Sequence, residues 1–280
     1  MSVHLAAHGW EAELRPDAGA AFASLTHEGQ EVLRALPAGS DDPLQSGCFP
    51  LVPYCNRIAD ARFAWGEESV QLPRNFPPES NSLHGFGWQS EWSVEDHNAA
   101  SCALVHEHDG SAWPWSYRAR QKVRLGADGL KVWLDVTNLS DHPMPTGLGL
   151  HPYFRRPPET KVRFLAEHMV EVDDRLIPTG TLSSSEHFAN WSGGTALPDG
   201  LVDHCFTGWN GRIEITDNLG SITMTASGAP FLHVYSPADG SALCFEPVSH
   251  LPDALNQSPQ GMTLLPPCCT ASIEMAISVG

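Results

Sequence analysis

The sequence predicts an all-β protein, a large antiparallel β-sandwich with few short helices, and three observations support this prediction. Short stretches alternate apolar and polar residues with a period of two, which is typical of strands that bury one face. The 24 glycines and 23 prolines are spread along all 280 residues, so turns are favoured over long helices. Few windows have the 3.6-residue period of a helix, and we expect one helical turn within residues 249–256.

Hairpins can be recognised in three places, each with two alternating segments around a turn rich in Gly, Asp, Asn or Pro. In chain order, strand, turn and strand are 118–125, 128–129 and 130–136, then 213–215, 217–220 and 222–224, then 231–235, 237–240 and 242–246. Several short strands joined by regular turns favour a sandwich of antiparallel sheets.

The first of these strands carries a row of basic side chains on one face. The row consists of Arg118, Arg120, Lys122 and Arg124. It is either a phosphate-binding patch or a solvated strand face paired with the surplus of acidic residues. We favour the second interpretation.

Residues 1–280 are predicted to form a single domain. The chain has no internal repeat, no low-complexity segment and no long linker. Serines and glycines concentrate in the segment 179–200, which we interpret as a loop excursion rather than a domain boundary.

The charge balance argues against several classes of partner. The chain carries 16 basic and 33 acidic residues, a formal net charge of −17. Such a field repels phosphate backbones and gives no electrostatic attraction to anionic lipid, so we expect neither nucleic-acid binding nor membrane binding. A small neutral ligand remains compatible with this charge.

The cysteines and the first residues favour a cytoplasmic protein. Seven cysteines, an odd number without a C-x-x-C pair, fit reduced thiols better than a disulfide framework. Residues 1–10 lack the basic start and the apolar run of a signal peptide. No apolar stretch approaches the roughly 20 residues that span a bilayer.

Three segments place polar side chains where a strand pattern does not require them. The first, 47–58, is apolar and stiffened by prolines until it presents Asn56 and Arg57. A buried arginine is costly without an anionic or hydroxyl partner. Further on, His84 and Trp88 add hydrogen-bond donors and an aromatic ring. Proteins bind sugars with such combinations, although each of these residues alone could simply hold a loop.

The second segment is 147–154. In an extended backbone, Gly147, Gly149 and His151 share one face, and Pro152 indicates that the strand ends there. Two glycines beside a histidine leave room either for a ligand or for a closely approaching neighbour. The histidine is therefore either structural or functional, and both interpretations remain open.

The third segment is 242–247, in which Glu246 shares a face with Ala242 and Cys244. A carboxylate that closes an otherwise apolar strand needs a partner, or its pKa is raised. A raised pKa is how a general base is tuned. A buried salt bridge, for example with Arg57, is the other interpretation.

Together these segments resemble the aldose 1-epimerase (galactose mutarotase) family. The matching motifs are Asn56-Arg57-Ile58, Leu83-His84-Gly85, His151-Pro152-Tyr153-Phe154, Asp203 within 201–206, and Glu246 within Cys244-Phe245-Glu246-Pro247. They occur in the family's order and extend from about residue 47 to residue 256. Each motif alone is weak, and five in order form a specific signal.

The resemblance implies a galactose mutarotase-like supersandwich with a sugar lying across an open concave face. It also implies an isomerase that interconverts the α and β anomers of a free aldose by opening and reclosing its ring, without a metal or organic cofactor. In this scheme His151 is the general acid for the ring oxygen, and Glu246 is the general base for the C1 hydroxyl. The environment can bring the pKa values of both groups near neutrality.

The resemblance further implies which residues bind the substrate. They are expected to be Asn56, Arg57, His84, Trp88, Tyr153 and Asp203. We also expect one of Trp88, Tyr153 or Trp209 to stack on the sugar ring. The expected partner is a small-molecule sugar, and the chain is expected to be a monomer or a weak homodimer.

Three alternatives remain open. A hexose-6-phosphate 1-epimerase of the same superfamily would need a cationic phosphate site. The candidates for that site are Arg74, Arg155 and Arg156. A non-catalytic sugar-binding or sensor protein would keep the pocket without turnover, and the presence of both His151 and Glu246 argues against it. A metalloenzyme could use His106 and His108, which lie on one face of a strand, but no third ligand is evident nearby.

Overall fold

The structure of the protein is a computed structural model that describes residues 2–257 and 261–280. Strands of the first half are β1 Val3–Ala7, β2 Trp10–Arg15, β3 Ala21–His27, β4 Gln30–Leu33, β5 Pro50–Leu51, β6 Arg57–Ile58, β7 Arg62–Trp65, β8 Glu68–Gln71, β9 Ser82–Leu83, β10 Ser93–His97, β11 Ser101–Asp109, β12 Ser116–Gly126 and β13 Gly129–Asn138. Strands of the second half are β14 Met144–Thr146, β15 Gly149–Leu150, β16 Lys161–Phe164, β17 His168–Val172, β18 Pro178–Ser184, β19 Thr195–Ala196, β20 Val202–Thr207, β21 Arg212–Asp217, β22 Gly220–Ser227, β23 Phe231–Ser236, β24 Cys244–Val248, β25 Thr263–Leu265 and β26 Thr270–Val279.

Helices are short. The described residues contain one α-helix, α1 Ala254–Gln257, and three 3-10 helices at Pro43–Gln45, Ala59–Ala61 and Gly87–Gln89. The helical turn expected within 249–256 therefore begins at Ala254 and extends one residue further. In the part of the chain that the structure describes, no helix is long and apolar enough to cross a membrane.

Two large sheets form the body of the protein and confirm the predicted antiparallel sandwich. The larger has nine strands in the order β10-β11-β12-β13-β26-β22-β21-β16-β19, and the other has seven in the order β18-β17-β20-β23-β24-β15-β5. They pack on each other through apolar side chains. For example, the Phe164 ring of β16 meets Phe206 of β20 and Phe245 of β24 at centroid distances of 5.2 and 6.1 Å.

All three predicted hairpins are confirmed by the register of the strands. Gly126 pairs with Gly129 where β12 turns into β13, and Asp217 pairs with Gly220 where β21 turns into β22. In the third hairpin Phe231 of β23 pairs with Val248 of β24. The alternation of apolar residues is thus a reliable signal where a strand has one face in the core.

The basic row on β12 is a solvated strand face, as favoured from the sequence. Arg118 and Arg120 each bind one carboxylate oxygen of Glu95 at 2.6 Å. Lys122 lies over the ring of Trp133, 5.4 Å from its centroid. These contacts leave no evident phosphate patch on the described part of the strand.

The segment 179–200 departs from its predicted loop. Its first residues belong to β18, an edge strand of the seven-stranded sheet that pairs with β17. Most residues of β18 are exposed, so the strand shows no alternation of buried and exposed side chains from which it could be recognised.

The seven-stranded sheet has two different faces, and this determines where a site can form. One face joins the large core between the sheets. The other carries a second, smaller apolar cluster around Phe49, Cys205 and Cys244. All seven cysteines are free thiols; Cys268 and Cys269 are exposed, and the others are buried.

Candidate active site

A cavity of about 330 Å³ lies on the second face of the seven-stranded sheet. It is lined by Arg34, Leu44, Asn56, Arg57, Phe76, Glu79, Leu83, His84, His151, Tyr153, Asp203, His233, Tyr235, Ser241, Ala242 and Glu246. All predicted catalytic and binding residues except Trp88 are among them. The volume lies at the lower end of the range for small-molecule sites.

Three neighbouring strands, β20, β23 and β24, supply the polar floor of the cavity. In the antiparallel register, Cys205 pairs with His233, and His233 pairs with Glu246. Residues paired in this way point to the same face, and so does Asp203, two positions before Cys205. Residues between them, such as Phe245, face the sandwich core. Two carboxylates and an imidazole therefore lie side by side on an otherwise apolar surface.

A second wall is built by two residues that hold each other in place. Asn56 and His84 both adopt left-handed backbone angles, with φ of 56° and 58°, which side chains other than glycine rarely adopt. The N–H of His84 donates to the carbonyl of Asn56 at 2.9 Å. The N–H of Asn56 donates to Nδ1 of His84 at 3.1 Å.

This contact fixes the tautomer of His84. Because Nδ1 accepts a hydrogen bond, the neutral ring carries its proton on Nε2. Burial lowers the pKa of His84 well below its usual value, and the nearby charges of His151 and Arg57 act in the same direction. At neutral pH, His84 is therefore an uncharged N–H donor in the cavity wall.

His151 and Glu246 are in direct contact. Nε2 of His151 lies 3.2 Å from Oε1 of Glu246, and both side chains are buried. The imidazole is stacked on the rings of Phe49 and Tyr153 at centroid distances of 4.6 and 4.7 Å. Desolvation by burial raises the pKa of Glu246 to about 8 and lowers the pKa of His151 to about 3.

These opposite shifts describe one shared proton. Because the two groups touch, their protons belong to the pair rather than to either residue. At neutral pH the pair holds a single proton, which burial favours on Glu246. Transfer across the 3.2 Å contact gives a carboxylate and an imidazolium without changing the net charge. The pair can thus present an acid and a base together.

Asp203 is held as an ionised acceptor beside this pair. Nε2 of His233 donates to Oδ1 of Asp203 at 2.7 Å, and Nη2 of Arg57 lies 3.6 Å from Oδ2. Burial alone would raise the pKa of Asp203, but the hydrogen bond from His233 and the charge of Arg57 lower it below its usual value. Arg57 in turn donates from Nε to Oε1 of Glu79 at 2.6 Å.

The two tryptophans among the three residues predicted to stack on a sugar lie outside the cavity. Trp88 is buried behind the cavity wall, where Nε1 donates to the carbonyl of Gly85 at 3.1 Å. Trp209 is buried after β20, and its Nε1 donates to the carbonyl of Arg212 at 3.1 Å. Neither lines the cavity. A buried indole needs both apolar surroundings and an acceptor for its N–H, and both tryptophans find these away from the cavity.

Tyr153 lines the cavity, but other groups already cover its ring. The guanidinium of Arg34 lies 3.8 Å from the ring centroid, and the His151 ring is stacked on it. Arg34 is held by the backbone, donating to the carbonyl of Leu44 at 2.6 Å. Stacking of a sugar on Tyr153 would compete with these contacts.

The arginines predicted for a phosphate site lie outside the cavity. Arg155 is buried in an ion pair with Asp217, with Nε 2.9 Å from Oδ2. Arg156 donates to Oγ of Ser236 at 3.1 Å. Arg74 is exposed and does not line the cavity either. These three arginines therefore do not form a phosphate site in the cavity, because Arg155 and Arg156 bind other protein groups and Arg74 faces solvent.

The paired glycines before His151 make space for protein neighbours. A Cβ on Gly147 would collide with the ring of His250, and a Cβ on Gly149 would lie 2.8 Å from Sγ of Cys55. His250 is itself fixed, because its Nε2 accepts from the N–H of Cys55 at 2.9 Å. The sequence left open whether the two glycines make room for a ligand or for a closely approaching neighbour, and the structure shows the neighbour.

Sequence reasoning missed six polar or aromatic residues of the cavity: Arg34, Phe76, Glu79, His233, Tyr235 and Ser241. For His233 a signal was present. It lies in the apolar strand Phe231–Ser236, just as Glu246 lies in Cys244–Val248. The same argument, that a polar group in a buried strand needs a reason, applies to both residues.

His106 and His108, the alternative metal ligands, lie on β11 of the nine-stranded sheet. Nε2 of His108 lies 3.0 Å from the carbonyl of Trp113, and its ring is stacked on Tyr117 at a centroid distance of 4.9 Å. Within residues 2–257 and 261–280, no three or more His, Cys, Asp or Glu side chains are grouped so that they could hold a metal ion.

Comparison with known sequences places this chain in a family. The family model described as aldose 1-epimerase matches residues 2–278. The uncharacterised protein YphB of Escherichia coli K12 is 34% identical over 246 residues, which cover 84% of each chain. The uncharacterised protein YihR of the same organism is 26% identical over 268 residues, covering 91% of this chain and 86% of YihR.

Solved structures show the same fold. An E. coli K12 protein whose crystal structure is described as a candidate aldose 1-epimerase superposes with a TM-score of 0.91 at 28% identity, over 100% of this chain and 99% of that one. A galactose mutarotase-like protein from Clostridium acetobutylicum superposes with a TM-score of 0.88 at 22% identity, over 99% and 94% of the two chains.

Proposed function

The chain belongs to the aldose 1-epimerase family, and on that premise we propose that it interconverts the α and β anomers of a free aldose. The observation that carries the proposal is the buried contact between His151 and Glu246 in a cavity of monosaccharide size. Ring opening removes a proton from the C1 hydroxyl and adds one to the ring oxygen. Since both oxygens are bonded to C1, an acid and a base in contact match the reaction.

The reaction proceeds through the open-chain aldehyde. In the carboxylate–imidazolium form of the pair, Glu246 takes the proton from the C1 hydroxyl, the C1–ring oxygen bond breaks, and His151 gives its proton to the departing ring oxygen. Rotation about the C1–C2 bond exposes the other face of the aldehyde. Reclosure reverses both transfers and returns the pair to its starting form, so the pair holds one proton throughout and no co-reactant is consumed. Each positioned transfer contributes on the order of 10²- to 10⁴-fold.

Three residues around the pair are suited to hold the sugar. Asp203 accepts hydrogen bonds from hydroxyls because His233 and Arg57 keep it ionised. His84 donates from Nε2, and Arg57, fixed by Glu79, donates as a cation. Donors and acceptors held in this way select hydroxyl positions, because a mismatched sugar leaves a buried polar group without a partner.

A separate, apolar part of the cavity wall is available for the CH face of the sugar. Leu44, Phe76 and Tyr235 line the cavity and are partly buried. We propose that one of the two aromatic rings contacts the CH face of the sugar, in place of the tryptophans expected from the sequence. A free aldose is favoured over a 6-phosphate because Arg155 and Arg156 are engaged outside the cavity.

The test is NMR exchange between anomers at neutral pH on glucose, galactose and their 6-phosphates. We expect enzyme-dependent exchange on at least one free sugar and its loss in Glu246→Gln. The matched control is Glu107→Gln, the same change on an exposed residue of the other sheet. Calorimetric sugar binding without exchange would instead identify a binding or sensor protein. Turnover confined to the 6-phosphates would identify a sugar-phosphate epimerase.

A further inference from the structure

One buried ionisable residue of the cavity enters the mechanism above only as the partner of Asp203. His233 lies at the centre of β23, is 4% exposed and lines the cavity. An uncharged apolar side chain would satisfy the strand pattern at this position. A histidine there must be stabilised by specific partners, because burial of an imidazole is otherwise costly.

The hydrogen bonds of His233 define its protonation at one nitrogen. Nε2 lies 2.7 Å from Oδ1 of Asp203, whose carboxylate can only accept, so Nε2 carries a proton. The amide Nδ2 of Asn56 lies 3.4 Å from the same nitrogen. Asp203 is therefore the strong partner, and the bond is charge-assisted.

Acidic groups lie against His233 from both neighbouring strands. On one side Cys205 is its register partner, with Asp203 two residues away, and on the other side Glu246 is its register partner. Paired Cβ atoms in such sheets are about 5 Å apart. His84 and His151 on the other walls interact electrostatically with it, and Arg57 lies 3.6 Å from Oδ2 of the same Asp203.

We propose that His233 is a positioning residue of the proposed epimerase site, a buried imidazolium anchored by Asp203 that stabilises the carboxylate form of Glu246. It thereby sets the pH at which the contact pair of His151 and Glu246 loses its proton. The electrostatics agree with this geometry. Burial alone would lower the pKa of His233, but the charge of Glu246 and the hydrogen bond with Asp203 raise it to about 10.

Glu246 and His233, although paired on neighbouring strands, have different roles in the proposed site. In this proposal Glu246 performs the proton transfer, and His233 acts on it through its charge. Without the cation, two carboxylates would share one buried strand face, and each would hold a proton more tightly. Asp203 would then become a poorer acceptor, and Glu246 a carboxyl group that releases its proton only at higher pH.

The first experiment compares pH profiles of kcat/KM for the wild type and His233→Gln, which keeps a donor toward Asp203 but removes the charge. On the alkaline side of the profile, kcat/KM falls as the His151–Glu246 pair loses its proton. We expect the pH at the midpoint of this alkaline limb to rise by about one unit in the variant. His233→Lys, which restores a cation, should return the limb toward the wild-type position. His168→Gln, the same change at an exposed histidine of the same sheet, should leave it unmoved. A lowered rate or Tm with an unmoved limb would overturn the proposal.

The second experiment needs neither turnover nor a variant. In histidine-labelled wild type, ¹⁵N shifts should show one ring with both nitrogens protonated at pH 8, when unperturbed histidines are neutral. Loss of every imidazolium signal by that pH would also overturn the proposal. Because this measurement is made on the resting protein, it remains decisive if no sugar is turned over, and absence of anomer exchange would count against the epimerase activity alone.

Discussion

Two regions of the molecule bury histidines among aromatic rings, and only one of them is suited to catalysis. In the cavity, His151 is stacked on Phe49 and Tyr153. On the nine-stranded sheet, His108 is stacked on Tyr117 in the same manner, at a centroid distance of 4.9 Å. Burial lowers the pKa of both histidines. Apolar packing alone therefore does not distinguish a candidate catalytic histidine from a structural one.

The difference lies in the acidic neighbours. His151 touches the buried carboxyl group of Glu246, whereas the carboxylates beside His108 in sequence, Glu107 and Asp109, are exposed. Nε2 of His108 is occupied by backbone groups of Trp113. A buried histidine without a buried acid stays neutral, while one in contact with a buried acid shares its proton. Reactivity follows from the pair and not from the residue type.

The largest effect that tests this comparison is expected for Glu246→Gln. The change keeps the size of the side chain and removes the proton acceptor, so we expect anomer exchange to fall roughly a thousandfold. Glu107→Gln, beside the structural histidines, should retain wild-type exchange. Circular dichroism and Tm should show that both variants are folded. Full activity of Glu246→Gln would remove the basis for the proposed reaction.

A smaller loss is expected for His151→Asn, roughly a hundredfold in kcat. The loss is smaller because His84, whose ring centroid is 5.3 Å away, is a second N–H donor beside the same cavity. The corresponding change His108→Asn should lower Tm but leave kcat unchanged. If both asparagine variants lost activity equally, the distinction between the two histidine regions would be wrong.

The pH dependence of the reaction should report the pair directly. Below its raised pKa of about 8, Glu246 and His151 together hold the one proton that the reaction needs. Above that pH the pair loses this proton, so kcat/KM should fall by about tenfold per pH unit. The measurement is initial-rate polarimetry from pH 6 to 9.5 with the spontaneous exchange subtracted. A flat profile through pH 9 would contradict the shared-proton description.

Much of the fold could be predicted because it depends on patterns that are local in sequence. The hairpins around Gly129 and Gly220 combine a turn signal with two alternating strands, and both are present as predicted. Strand β18 was missed because its exposed residues carry no alternation. How the two sheets lie on each other depends on contacts distant in sequence, such as Phe164 with Phe245.

Site residues could be predicted where they lie within a recognisable sequence motif. Residues that reach the site only through the folding of a distant segment could not. His151 and Glu246 belong to recognisable segments, and the structure brings them into contact. Glu79, which holds Arg57, could not be inferred, because their pairing depends on how two loops meet in space. Trp88 was predicted to bind the sugar but is buried behind the cavity wall. From the sequence, an aromatic residue beside a motif can equally well line the site or pack behind it.

The smallest effect concerns His106, the other buried histidine of the nine-stranded sheet. Its Nε2 is buried and makes no hydrogen bond within the described residues, and its ring lies against Trp92 and Tyr117. A phenylalanine has a similar shape and leaves no buried nitrogen without a partner, so His106→Phe should change the free energy of unfolding by less than about 1 kcal/mol. Anomer exchange should be unchanged, whereas His151→Phe should lower it at least as much as His151→Asn does. Denaturant unfolding and exchange rates on the two variants measure both quantities. A large loss of activity in His106→Phe would mean that the nine-stranded sheet contributes to the reaction, and that buried carboxylates are not what separates the two regions.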